Sequence, residues 1–123
     1  MPNDYVKELF GTLTFDRQPD LWRFVSQDDP PDLREAIFAL RESRGWTAIV
    51  PYRNLTEHVR VLVRFDLRVE THLHPFGLGG AIDEILGEAE IFCFFVDGSW
   101  ASSIFVDERD ADSAAAILTG LKR

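Results

Sequence analysis

Residues 59–73 read Val59-Arg60-Val61-Leu62-Val63-Arg64-Phe65-Asp66-Leu67-Arg68-Val69-Glu70-Thr71-His72-Leu73. Odd positions are apolar or β-branched, and even positions, Leu62 excepted, are charged or histidine. Strand side chains alternate between two faces with a period of two. One face of this run is therefore expected to be dry and the other wet, the pattern of an antiparallel sheet covered on one side. No Gly or Pro interrupts it. It reads as one long bent strand, although a run of this length would span about 50 Å and exceed the usual 3 to 10 residues.

Elements upstream follow from similar cues. Residues 3–10 suit a first helix, with Tyr5 and Leu9 one turn apart and Gly11 past its end. Residues 12–16 alternate; residues 20–27 fit a strand through Trp22 and Phe24 and a helix through Leu21, Phe24 and Val25, and are read as a strand. Asp29-Pro30-Pro31-Asp32 resembles a helix start, a capping carboxylate followed by proline. Leu33, Ala36, Ile37 and Leu40 then form an apolar stripe at helical spacing, closed by Gly45 with Trp46 folding back on Leu40. Residues 47–52 read as a strand ending at Pro51.

Downstream, residues 75–80 read as a glycine-rich loop. Leu78, Ile82, Ile85, Leu86 and Ala89 define a second amphipathic helix. Asp97-Gly98 predicts a two-residue hairpin turn, which pairs Phe95 with Trp100, Phe94 with Ala101, Cys93 with Ser102, Phe92 with Ser103 and Ile91 with Ile104. Asp110 is placed to cap a last helix carrying Ala114, Ile117, Leu118 and Leu121, with Lys122 and Arg123 at its negative end.

The expected fold is α+β: an antiparallel β-sheet of about five strands with helices packed on one face, forming a single two-layer domain over residues 1–123. From residue 30 onward the order of elements is similar, in topology alone, to small acidic chaperones of type III secretion effectors. No motif accompanies the likeness, and the first 29 residues have no counterpart in it.

Charge narrows the function. The net charge of −8, with only Lys7 and Lys122 as lysines, argues against nucleic acid, whose phosphates need concentrated Lys and Arg. It suits solubility or a basic protein partner. One cysteine, Cys93, excludes an internal disulfide framework; within Ile91-Phe92-Cys93-Phe94-Phe95-Val96 it reads as a buried thiol. No signal peptide and no apolar run of about 20 residues is present, so no membrane role is expected and the cytoplasm is the expected location.

Four constellations in the sequence could carry chemistry. Glu70, His72 and His74 share one face of the long run and could form a facial metal site or an acid–base pair. Arg64 and Arg68 on the same face repel a cation, so neither a metal nor another cofactor is expected. Gly77-Leu78-Gly79-Gly80 lacks the remaining residues of a dinucleotide or phosphate loop and reads as a tight turn with close helix–sheet packing. The acidic tract 107–112 lacks the spacing of a calcium loop and reads as a helix cap. The aromatic set, ten Phe, three Trp and two Tyr, is core with interface anchors among it.

Two functions follow as expectations. One is a small acidic cytosolic binding or regulatory module, resembling a chaperone, immunity protein or inhibitor. It would act through a protein partner or as a homodimer and present Trp22, Trp46, Tyr52, Arg64, Arg68 and Trp100. The alternative is a small enzyme or ligand-binding protein with an apolar pocket and Glu70, His72 and His74 at its mouth.

Overall fold

The structure is a computed structural model that describes residues 4–53, 59–70 and 77–121. In chain order its elements are helix α1 (Asp4–Thr12), strands β1 (Thr14–Gln27), β2 (Phe38–Glu42), β3 (Gly45–Pro51) and β4 (Leu62–Arg68), helix α2 (Leu78–Glu88), strands β5 (Cys93–Asp97) and β6 (Ser102–Asp107), a 3₁₀ turn (Glu108–Asp110) and helix α3 (Ala111–Gly120). The strands form a six-stranded antiparallel sheet in the order β2-β3-β1-β4-β6-β5, so the expected α+β class is the observed one, with one strand more than foreseen. The extra strand is β2.

The chain divides into two compact units, residues 20–62 and residues 1–19 with 63–123. Strand β1 runs through both. Within the first unit, residues 33–44 are not the expected helix. Only one turn forms, in which Asp32 C=O accepts from the N–H groups of Glu35 and Ala36 at 3.0 and 2.9 Å. The Asp32 carboxylate accepts from Arg34 N–H at 3.0 Å, and the Arg34 side chain beside it holds that carboxyl below the usual range. Ile37 N–H then donates to Ile49 C=O at 2.9 Å. Strand β2 continues against β3, pairing Phe38 with Ile49, Leu40 with Thr47 and Glu42 with Gly45.

The helical stripe fails because the backbone of residues 37–42 instead pairs along one edge with β3, and helical spacing of apolar groups does not secure a short helix without packing. Leu33 and Leu40 are consequently exposed, at 66 and 49 %. Trp46 lies opposite Arg41, not against Leu40. With a hairpin in place of that helix, the element order of the effector chaperones is absent. Strand β3 also pairs with β1, from Trp22 opposite Pro51 to Gln27 opposite Trp46, so residues 20–27 are strand.

In the second unit the core is the apolar face of β4 together with the helices. Val63, Phe65 and Leu67 are buried, as are Leu9 and Phe10 of α1, Leu78, Ile82 and Leu86 of α2, and Ala114 and Leu118 of α3. Phe15 meets Phe65 edge to face, with ring centroids 5.9 Å apart. Helix α1 continues through Gly11 to Thr12, beyond its expected end.

The long strand is a correction. Only Leu62–Arg68 is strand; Val59 is exposed, and residues 71–73 lie outside the described residues. Its even face is not uniformly wet: Leu62 is buried and Asp66 is 8 % exposed. β4 lies between β1 and β6, so both of its edges are paired, and little of the Asp66 side chain reaches solvent. Asp66 tolerates this because its Oδ1 accepts from Arg64 Nε at 2.7 Å and Ser103 Oγ at 2.9 Å.

Candidate functional site

The chemistry of the second unit gathers at strand β5, which ends the sheet. Gly77 at φ 79° starts α2, so Gly79 and Gly80 lie in the helix and not in the expected loop. Gly79 supplies the close helix–sheet packing read from the sequence: a Cβ there would lie 2.8 Å from Phe95 Cδ1. The Phe95 ring therefore lies against the helix backbone. Side chains alternate across the strand, so Cys93, Phe95 and Asp97 face α2 while Phe94 and Val96 take the other face. There Phe94 meets Phe105 with ring centroids 6.5 Å apart.

The β5–β6 hairpin forms, but four residues out of the expected register. Cys93 pairs with Val106, Phe94 with Phe105, Phe95 with Ile104, Val96 with Ser103 and Asp97 with Ser102. The turn is a four-residue loop, 98–101, closed by Gly98 N–H to Ala101 C=O at 3.1 Å. Ser102 Oγ donates to Asp97 Oδ1 at 2.8 Å. An even shift leaves each side chain on its face while changing its partner. Phe94 now meets Phe105 and Phe95 meets Ile104, where the short turn would have set them against Ala101 and Trp100.

That loop leaves Trp100 95 % exposed, and Phe92 just before β5 is 38 % exposed. On α2, in the turn after it and at the end of β5, Asp83, Glu84, Glu88, Glu90 and Asp97 are all exposed acids. Residues 77–108 contain seven carboxylates and no Lys, Arg or His. This run of one sign was legible in the sequence and is the signal by which the acidic rim could have been found. At its end Asp107, not Asp110, makes the capping bond: its carboxylate accepts from Arg109 N–H at 3.0 Å, while Asp110 makes no side-chain cap. Asp107 reaches the last turn first because it leaves β6 just ahead of the exposed amides.

Cys93 is the one nucleophile in this region. Burial, with the Asp83 charge as a second cause, pushes its thiol up to about 12. At pH 8 the folded protein should react with a disulfide reagent roughly a thousandfold more slowly than the urea-unfolded chain, whose thiol titrates near 8.5. Equal rates would show that the thiol is open. The neutral thiol adds stability below about pH 8.5, and that contribution fades as pH rises towards 12.

The other expected anchors are distributed. Trp22 is 9 % exposed, a core residue of the first unit. With Asp20, Leu21, Pro51 and Arg53, it and Tyr52 line a concavity of about 240 Å³. Trp46 lines another of about 380 Å³ with Ser26, Gln27, Asp28, Glu42 and Arg44. That lining is mostly polar. Arg64 is committed to Asp66, and Arg68 pairs with Asp16 at 3.2 Å on the surface. Glu70 is exposed beyond the end of β4, with its N–H donated to Thr12 Oγ1. His72 and His74 lie outside the described residues. Among the described residues no group of three His, Cys, Asp or Glu is placed to hold a metal, and no helix is long and apolar enough to cross a membrane.

These features define a class, an α+β fold with an aromatic hairpin at the sheet's end. Among solved structures the chain is similar to a Vibrio cholerae protein of unknown function described as a possible transport protein. The TM-score is 0.81 at 21 % identity, over 97 % of each chain. It is also similar to an Agrobacterium tumefaciens protein, with a TM-score of 0.62 at 14 % identity over 83 % of this chain and 81 % of that one. At these identities the likeness shows the fold alone. No protein-family model matches the sequence, and no curated protein matches it.

Proposed function

We propose that this protein is a small binding module that engages a basic protein partner through the β5–β6 hairpin. The observation that carries this reading is Trp100, 95 % exposed at the loop of an aromatic hairpin. Tryptophan held in water forgoes the burial of about 150–250 Å² of surface, and tryptophan is enriched among the residues that carry the binding energy of interfaces. The acidic surface is the support for the partner's sign: residues 77–108 hold seven carboxylates and no Lys, Arg or His. A cationic side chain can also stack on the indole face.

The test is a fluorescence titration of the full chain with the peptide acetyl-(Lys-Val)4-amide. Trp100→Ala should weaken binding at least about tenfold and leave the unfolding free energy in urea within about 0.5 kcal/mol of the parent. Equal affinity of parent and variant would remove Trp100 from the interface. Equal response to acetyl-(Glu-Val)4-amide would remove the basic partner.

A further inference from the structure

We propose that the β2–β3 turn and the end of β1 form a binding site for an uncharged guanine nucleoside, held by Arg41, Arg44, Asp28 and Trp46. The site lies wholly within the first unit and is independent of the hairpin and its partner. Three observations carry it.

The first is shape. A Cβ on Gly45 would lie 2.6 Å from the Gln27 carbonyl oxygen and 3.3 Å from Asp28 Cα, so the turn runs in backbone contact with the end of β1. Two adjoining concavities of about 380 and 500 Å³ result, and Asp28, Glu42, Gly45 and Trp46 line both. Arg44 joins the first lining and Arg41 the second. Sites for small molecules run from about 300 to 1,000 Å³.

The second is unused binding capacity. Trp46 stands directly between Gln27 of β1 and Arg41 of β2, so the three side chains share one face. Trp46 is half-buried, and among the described residues its side chain makes no hydrogen bond or ring contact. Arg41, Arg44 and Asp28 likewise have no ion pair among the described residues. Glu42 is engaged in part, accepting from Thr47 Oγ1.

The third is the chemistry of the lining, which names the ligand. Two guanidiniums and two carboxylates carry no net charge together, so a simple anion or cation would meet its own sign. The arginines need acceptors, the acids need donors, and the indole needs a flat ring. Guanine carries all three. Its carbonyl oxygen and the neighbouring ring nitrogen accept two parallel hydrogen bonds from a guanidinium. Its ring N–H and amino group donate together from another edge, where one carboxylate accepts both. Adenine presents an amino group where guanine has the carbonyl, and so sets donor against donor. The net charge of −8 disfavours phosphates, which leaves the nucleoside.

The experiment titrates the ¹⁵N-labelled full chain with guanosine, adenosine and glycine, and reads backbone amide shifts by NMR. Guanosine should move the signals of residues 26–28 and 41–47 and bind at least about tenfold more tightly than adenosine. Trp46→Ala should weaken guanosine at least about tenfold, while Trp46→Phe, which keeps a ring in place, should lose less. Arg41→Gln combined with Arg44→Gln changes two exposed side chains and should bring guanosine down to the affinity of adenosine. The proposal is overturned if guanosine up to about 1 mM leaves those signals in place, or if adenosine binds equally well. It is overturned too if glycine, which has both charges and no ring, moves the same residues as strongly. Tighter binding of a single-stranded RNA ending in guanosine would overturn the nucleoside as the ligand.

Discussion

Phe65→Ala should lower the stability of the protein by about 3–5 kcal/mol, the usual cost of a cavity left by a buried phenylalanine. Phe65 is fully buried, at 0 % exposure, in a strand flanked by β1 and β6, and its ring meets Phe15 edge to face. A domain of this kind has only about 5–15 kcal/mol in total, so the variant should sit near its folding limit. Urea unfolding followed by far-ultraviolet circular dichroism measures the difference, with Phe92→Ala as the exposed control. A loss below about 1 kcal/mol would mean that the odd-numbered face of β4 is not the core.

Gly45→Val should cost about 2–3 kcal/mol through backbone strain, with the damage confined to the β2–β3 hairpin. Gly45 sits at φ 141°, and a Cβ there would lie 2.6 Å from the Gln27 carbonyl oxygen, a backbone atom that cannot swing aside. Hydrogen exchange should show lost protection in residues 38–51 before any loss in β6. Gly80→Ala is the matched control. Nothing lies within 4 Å of a Cβ at that helical position, so it should gain up to about 1 kcal/mol from helix propensity alone. Unchanged protection in the Gly45 variant would show that the turn tolerates a side chain.

Much of the candidate site was legible in the residues. Helix α2 followed from the spacing of Leu78, Ile82 and Leu86, all buried, because a helix with one dry face must repeat its apolar groups every three to four positions. The β5–β6 hairpin followed from two apolar runs around Asp97-Gly98, and Trp100 was named as an anchor. The pairing within that hairpin was not legible. A two-residue and a four-residue loop place the same side chains on the same faces, so alternation cannot choose between them. The choice falls to the packing of Phe94 on Phe105 and Phe95 opposite Ile104.

Residues 33–44 show the same limit more sharply. Leu33, Ala36, Ile37 and Leu40 satisfy a helical stripe, while Phe38-Ala39-Leu40-Arg41-Glu42 satisfies a strand. Local propensity separates these by less than 1 kcal/mol per residue, and β3 decides by pairing with the segment. Asp66 is a second case. A charge at an even position reads as solvent-facing, and only the arrival of Ser103 from β6 beside Arg64 makes it a satisfied buried carboxylate.

What the chain determined by itself was periodicity and sign: which stretches alternate, which repeat at helical spacing, where turns are allowed, and that residues 77–108 carry acid alone. These are properties of neighbours in the chain, set by side-chain direction and charge. Strand order, hairpin register, the strand at 38–42 and the exposure of Trp100 were decided by tertiary structure. Each depends on groups far apart in sequence competing for one partner, and the free energy that settles such a competition belongs to the pair and to neither segment alone.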